Sequence, residues 1–434
     1  MRPDQPDPDG TGLTPGALSG VVVADFSRVL AGPYMTMLLA DLGADVIKIE
    51  RPGTGDDTRS WGPPFVSGEA TYFLGVNRNK RSIALDLRDE RDRATARAIV
   101  ARADVLVENF RPGTMDRLGF GYEELRADHP GLVYCSITGF GAVEGARLPG
   151  YDLLAQATGG LMSMTGEPGG QGTKTGVAVV DVITGLHAGL GVLAALRHRE
   201  RTGEGQRVEV ALLTSLLSAL TNQSAGYLGA GMVPRAMGNG HPSIVPYEVL
   251  DAADRPLALA VGNDRQFRAL AGQLGRPELA DDPRYATNAA RVAHRAELLE
   301  VLSALLAERT ADEWFHELSA AGVPCGPIND IAGAFDFADR LGLDPRVTVH
   351  DPRRPAPSEQ VAHPVRLSAT PPAYRTAPPR LGEDTEAVLA ELGLPAADPS
   401  GFPYPTEGAG PRERAEPAER DDGTGRAGAS DAPT

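Results

Sequence analysis

From Leu18 onward the chain alternates short apolar runs with amphipathic stretches, in the rhythm of strand, helix, strand. Val21-Val22-Val23-Ala24 is a strand-like run. Pro33 suits a first helical turn, residues 34–42 have helical composition, Gly43 marks the stop, and Val46-Ile47-Lys48-Ile49 reads as the next strand. Such a βαβ unit implies parallel pairing. The rhythm continues with a strand over 81–87, a helix over 90–103, and strands over 104–108, 131–138 and 206–212. A helix rich in Leu, Ser and Ala then runs to about Leu228. Beyond it the spacing changes. Residues 243–251 and 255–261 read as a hairpin turning at Ala252-Ala253-Asp254, followed by helices over 264–274, 295–308 and 311–321. Pro324-Cys325-Gly326-Pro327 is a breaker cluster that returns the chain to its main body.

The pattern predicts an α/β fold with two domains. The large one is Rossmann-like, its parallel sheet built from N- and C-terminal parts (17–225 and 336–395); a linker and smaller α+β domain occupy 226–335. Residues 1–16 and 396–434 are rich in Pro, Gly and charged residues and read as disordered.

One segment carries candidate chemistry. Gly176 to Val180 reads as an apolar, β-branched strand that runs straight into a helix, with Asp181 at the joint and Ile183, Leu186, Leu190 and Leu193 at helical spacing after it. Asp181 is either an N-cap or a nucleophilic carboxylate held ionised by the helix dipole, and one geometry can serve both. An ordinary Asp is already ionised at neutral pH, so a nucleophilic role needs no separate base.

Composition narrows the function. At 434 residues and 45.6 kDa, two domains plus tails are expected. A net charge of −16 and a pI near 5.0 argue against general nucleic-acid or anionic-membrane binding. Two cysteines, Cys135 and Cys325, are too few and too distant for a disulfide framework or a zinc site, and no metal is expected. The polar start lacks an apolar signal core and no segment reads as a span of ~20 apolar residues, so a cytoplasmic protein is expected. The loop Asp25-Phe26-Ser27-Arg28-Val29-Leu30-Ala31-Gly32-Pro33 has only Gly32 where a dinucleotide fingerprint needs three glycines, which excludes the usual nicotinamide site.

Arg28-Val29-Leu30-Ala31-Gly32-Pro33, residues 41–53 (Asp-Leu-Gly-Ala-Asp-Val-Ile-Lys-Ile-Glu-Arg-Pro-Gly), Asn77-Arg78-Asn79-Lys80-Arg81 and Val107-Glu108-Asn109-Phe110-Arg111-Pro112-Gly113 closely resemble motifs of the class III (formyl-CoA transferase-like) CoA-transferases. Gly150-Tyr151-Asp152, Gly203-Glu204-Gly205-Gln206 and Val323-Pro324-Cys325-Gly326-Pro327 follow in the family's order, over roughly residues 18–392. Gly55-Asp56-Asp57-Thr58-Arg59, Trp61-Gly62-Pro63-Pro64-Phe65 and His241-Pro242-Ser243-Ile244-Val245-Pro246-Tyr247 look most like its succinyl-CoA:dicarboxylate branch.

The resemblance implies that Asp181 is the nucleophile, attacking an acyl-CoA to give an acyl–aspartyl anhydride and then an aspartyl-CoA thioester. It places Arg51, Arg88 and Arg117 at CoA phosphates and the adenine side, Asn109 and Phe110 at adenine or pantetheine, and Val29, Ala31 and Leu85 along the same cleft. Leu30, Tyr151, Asp152 and His241 fall on the acyl side. Leu30 stands where the formyl-CoA enzymes carry Gln and their glycine-rich lid has no counterpart, which argues against formyl or oxalyl transfer. The resemblance further implies no tightly bound cofactor, coenzyme A entering and leaving as a thioester substrate, and an interlocked homodimer as the protein partner. Two other readings stay open. An α-methylacyl-CoA racemase shares the fold but needs a base on each face of the α-carbon, and Tyr151 is a poor one at neutral pH. A catalytically inactive CoA-binding homologue would retain the binding set without transfer.

Overall fold

The computed structural model describes residues 15–395. Its central sheet has six strands: β1 (Val22–Asp25), β2 (Asp45–Glu50), β3 (Lys80–Ala84), β4 (Val105–Glu108), β5 (Val133–Thr138) and β6 (Arg207–Ala211). They lie in the order β3-β2-β1-β4-β5-β6, and every pairing is parallel. The first crossover is helix α1 (Ala31–Asp41), and the longest is α2 (Val179–Thr202).

Alternate strand residues feed two cores. Val23, Val46, Val105 and Val107 face α1 and α2, burying Met35, Leu39, Val192 and Leu196. Ala24, Ile47, Ile49 and Leu106 face the other way, onto Ile99, Phe120 and Leu125. A parallel sheet covered on both sides makes such near-continuous apolar strands. The α2 helix is long and apolar enough to cross a membrane by length and composition, against the expectation of no such segment. Here its Ala188, Val192 and Ala195 are fully buried in the sheet-facing core.

The strands lie within a few residues of their sequence expectations, with three corrections to the strands and one to the helices. All six strands of the sheet come from residues 22–211; the C-terminal part contributes no strand to it. It instead runs along the β3 edge, where Asp384 exchanges backbone and side-chain bonds with Ser82 (2.9 and 2.8 Å) and Arg81 pairs with Glu391 at 2.7 Å. That contact covers an edge that would otherwise be open. Second, residues 176–178 form no strand, and α2 begins directly from a loop at Val179. Third, Cys325–Pro327 is not merely a breaker. It is a strand (β9) beside β8 (Pro256–Ala260), which pairs with β7 (Tyr247–Asp251) in a three-stranded antiparallel sheet. Pro327 is tolerated because β9 is an edge. The expected hairpin turns at Ala252, whose N–H donates to the Arg255 carbonyl at 3.1 Å. Helices Asp264–Gln273, Arg295–Leu306 and Ala311–Ala320 pack Phe267, Leu302, Trp314 and Leu318 into a separate core. The single helix expected up to about Leu228 is two, Leu212–Ala219 and Thr221–Ala230, separated where Thr221 takes φ 42°.

Candidate active site

In the order β3-β2-β1-β4-β5-β6 the direction of winding reverses between β1 and β4, and the crevice at the carboxyl ends of those strands is where open α/β sheets bind ligands. A cleft lies there. Arg28, Val29, Leu30 and Ala31 from the loop after β1 line one side, Asn109, Phe110 and Arg111 from the loop after β4 another, and Tyr151 and Asp181 close it.

Asp181 stands in the first turn of α2 and is not its N-cap. The N-cap is Ala178, which has no side chain to offer. Asp152 supplies the capping carboxylate from elsewhere in the chain: its Oδ1 accepts from Val180 N at 2.8 Å and Asp181 N at 3.2 Å, while Gln156 donates to its Oδ2. Two free donors of the helix start are thus satisfied, and the Asp181 carboxyl is released from capping. Burial, and then the negative charge of Asp152, push that carboxyl up to about 7. Burial and the neighbouring charge thus oppose the full ionisation that the sequence leads one to expect of Asp181 at neutral pH.

The loop after β1 is held from several directions. Asn109 Oδ1 accepts from Arg28 N at 2.9 Å and its Nδ2 donates to Arg28 O at 2.6 Å. The Arg28 guanidinium lies over the Phe110 ring, 5.0 Å from its centroid, and pairs with Asp57 at 3.2 Å. Val29 takes φ 68°, a left-handed conformation that a β-branched residue rarely adopts, and its N–H donates to the Asp56 carboxylate at 3.2 Å. Both amide ends of Asn109 are spent on Arg28, so it shapes this loop rather than presenting a free amide to the cleft.

Other sequence candidates are not brought to the cleft. Leu85 is only 4% exposed and sits in the core with Ile49, Ile83 and Phe120, which removes it from the cleft lining. Arg51, Arg88 and Arg117 are exposed, bonded to Thr54, Asp86 and Thr114 respectively, and follow the carboxyl ends of β2, β3 and β4. His241 belongs to the segment before β7, where its Nδ1 accepts from Ser243 N at 3.1 Å and its ring lies 5.3 Å from that of Tyr247. It caps a local turn and is not among the residues lining the Asp181 cleft.

Two features escaped the sequence reading. Tyr72 lies close enough to Asp181 and Asp152 that, after burial, their charges raise its phenol, and Trp61 packs edge-on against it at 5.6 Å. Beneath the β1 loop is a chain of buried charges: Lys48 with Asp56 at 2.9 Å, and Lys80 with Asp25 at 3.3 Å. Burial would raise the Asp56 carboxyl, but the Lys48 ammonium and Thr58 hold it at about 2. Among the described residues, three or more His, Cys, Asp or Glu side chains nowhere converge as a metal site would require.

The description of CoA-transferase family III matches residues 18–385. The chain is 45% identical over 388 residues to succinate–glutarate CoA-transferase of Agrobacterium fabrum, covering 86% of this chain and 95% of that protein. It is 42% identical over 394 residues to succinyl-CoA:glutarate CoA-transferase of Mus musculus, covering 89% and 88%. The crystal structure of a CAIB/BAIF family protein from Brucella suis superposes with a TM-score of 0.78 at 43% identity, over 87% of this chain and all of that one. With the sequence motifs, the doubly wound sheet and a match over most of the chain in agreement, this chain is an enzyme of CoA-transferase family III.

Proposed function

We propose that this enzyme moves CoA reversibly from succinyl-CoA to a second dicarboxylate through covalent intermediates on Asp181. The observation that carries the proposal is the Asp181 carboxyl standing free in the cleft, its own backbone N–H taken by Asp152. An Asp181 oxygen attacks the thioester carbonyl carbon, the C–S bond breaks, and the electron pair leaves on CoA thiolate. The thiolate then attacks the aspartyl carbonyl of the anhydride, releasing succinate and leaving an aspartyl-CoA thioester. The acceptor carboxylate displaces the thiolate from that thioester, and the thiolate attacks the new acyl group to restore Asp181. An anhydride keeps the acyl group about as activated as a thioester does, which makes the exchange reversible; a serine ester would lose that activation.

Exposed Arg51, Arg88 and Arg117 along the carboxyl edge of the sheet are the cations proposed for the CoA phosphates, with Val29, Ala31 and Phe110 as the walls along the pantetheine. Arg111 adds positive charge to the cleft itself, where Arg28 is already balanced by Asp57, and a cation there suits an acyl group bearing a second carboxylate. The named activities of the Agrobacterium and mouse relatives support the same substrate class.

A homodimer completes the proposal. Leu186, Leu190 and Leu193 are 48%, 68% and 40% exposed on the side of α2 away from the sheet, with Leu217, Tyr227 and Leu228 exposed on the helices that follow. An apolar stripe of this length on a single chain calls for a partner surface. A second copy, interlocked with the first, is the proposed cover.

The test is to incubate the enzyme with succinyl-CoA and a panel of dicarboxylates and to follow new acyl-CoA species by mass. Transfer to glutarate-sized acceptors is expected. Free succinate and CoA with no new thioester would show a hydrolase instead, and α-proton exchange with deuterated water without transfer would show a racemase.

A further inference from the structure

The chain holds 39 arginines and only three lysines, and two of those three, Lys48 and Lys80, are buried under the loop that faces Asp181. The sequence uses Arg for surface charge almost throughout, so ammonium groups at these two points answer to a local geometry. Lys48 Nζ donates to Ser27 O at 2.8 Å and to Asp56 Oδ2 at 2.9 Å. Lys80 Nζ donates to Pro33 O at 2.9 Å, to Asn77 Oδ1 at 2.9 Å and to Asp25 at 3.3 Å. A compact ammonium reaches such convergent acceptors where the planar fork of a guanidinium would not fit.

The acceptors follow the loop in order. Lys48 ties its start at Ser27, Asp56 takes the N–H of Val29 in the middle, and Lys80 ties the first turn of α1, where the loop ends, at Pro33. Asp25 adds bonds to Ser27 N at 2.9 Å and Thr36 Oγ1 at 2.6 Å. Asp56 is itself fixed by Thr58, through Oγ1 at 2.8 Å and N at 3.0 Å. What the arrangement holds is the left-handed Val29, beside Leu30 in the wall of the cleft. Buried ion pairs are a weak source of stability, because desolvation offsets their attraction and apolar pairs of similar volume often serve as well. Stability alone therefore gives no reason for this pair.

We infer that Lys48 and Asp56 are positioning residues: they hold Val29 in its left-handed conformation and so fix the wall in which Val29, on the pantetheine side, and Leu30, on the acyl side, set the thioester against Asp181. This rests on Asp181 as the nucleophile, and the test separates the two.

The experiment is a cycle on the full-length enzyme, read as the single-turnover rate at which succinyl-CoA labels the Asp181 peptide for hydroxylamine trapping. Lys48→Met with Asp56→Leu removes both charges at similar volume. Its melting temperature is expected to fall by several degrees, because the N–H groups of Val29 and Thr58 and the Ser27 carbonyl lose their partners. Well below that melt its KM for succinyl-CoA is expected to change little and its labelling rate to fall about 10- to 100-fold, the scale of a misplacement of about 1 Å. Val29→Gly, added to that pair, is expected to recover most of the loss, because glycine takes positive φ without being held. Val29→Gly alone supplies the fourth corner of the cycle. Labelling of the double variant at the parental rate would overturn the inference, as would a Val29→Gly effect identical in both backgrounds. If the double variant does not fold, Asp56→Asn carries the same cycle, since it turns a charge-assisted bond into a neutral one. It is then expected to label several-fold slower, with Val29→Gly abolishing the difference, and unchanged labelling would count against the inference. Label on a residue other than Asp181 in the parent enzyme would instead remove the nucleophile assignment on which all of this stands.

Discussion

Asp152 and Asp181 are joined through one backbone hydrogen: Asp152 Oδ1 accepts from the N–H of Asp181 at 3.2 Å, and its charge raises the carboxyl of the same residue. One side chain thereby fixes where the nucleophile stands and sets how readily it ionises. The two effects separate by substitution. Asp152→Asn keeps a cap of comparable quality but removes the charge. The acid limb of its kcat/KM profile is expected at lower pH than in the parent, with plateau activity within about tenfold. Asp152→Ala loses the cap as well, at a cost of about 1 kcal/mol in urea unfolding.

In the parent enzyme Asp181 must be ionised to attack, so kcat/KM is expected to rise with pH through about 7 and to level off above it. Stability runs the other way. The carboxyl is raised in the folded state, so its neutral form is fully favourable below the unfolded value near 4. The contribution falls as pH climbs to about 7 and is then constant, a loss on the order of a few kcal/mol. A melting temperature that falls less between pH 4 and 7 in Asp181→Asn than in the parent would identify the group.

Asp181→Asn retains the size of the side chain without its nucleophilic charge. Transfer is expected to fall by three orders of magnitude or more, on the scale of other nucleophile removals. CoA binding by calorimetry should persist, and the fold should be at least as stable as the parent at pH 8. Near-normal turnover would return Asp181 to a structural role.

Leu85 divides the core from the CoA surface. Buried with Ile49, Ile83 and Phe120, it should lose about 2–5 kcal/mol of stability as Leu85→Ala while leaving the KM for acyl-CoA within a few-fold. A large rise in KM with little change in urea midpoint would put it back along the ligand.

Leu190, 68% exposed in one chain, is the point at which to test the dimer. Leu190→Asp is expected to lower the association of purified protein in sedimentation or size exclusion, whereas the parent should stay dimeric on dilution to nanomolar concentration. A folded parental monomer at that dilution would exclude the interlocked arrangement, because linked rings do not part without extensive unfolding.

The strands were legible because Val22–Asp25, Asp45–Glu50 and Val105–Glu108 are apolar runs bounded by turn residues, in a sheet covered on both faces. Asp181 was legible as a helix-start carboxylate, and the motifs gave the family. The capping partner was not, since Asp152 lies 29 residues away and no local spacing marks a cap supplied by a distant loop. Residues 176–178 read as strand because Val177, Val179 and Val180 are β-branched, but the helix takes the last two into its first turn. Lys48 sits inside an apolar run where alternation assigns charged positions to solvent. Here that side of the strand is also covered, and only the position of Asp56 in three dimensions shows what the ammonium meets. The readings of residues 1–14 and 396–434 fall outside the described residues.

With Lys48 and Lys80 enclosed, Lys174 is the one lysine side chain that solvent reaches, in the loop just before α2. An amine-reactive dye applied to the folded enzyme will therefore mark a single side chain, apart from the terminal amine. With the terminal amine blocked, the chain becomes a single-site conjugate whose fluorophore lies a few residues from the start of the helix that carries Asp181, where a change in emission can report the arrival of acyl-CoA without any engineered cysteine.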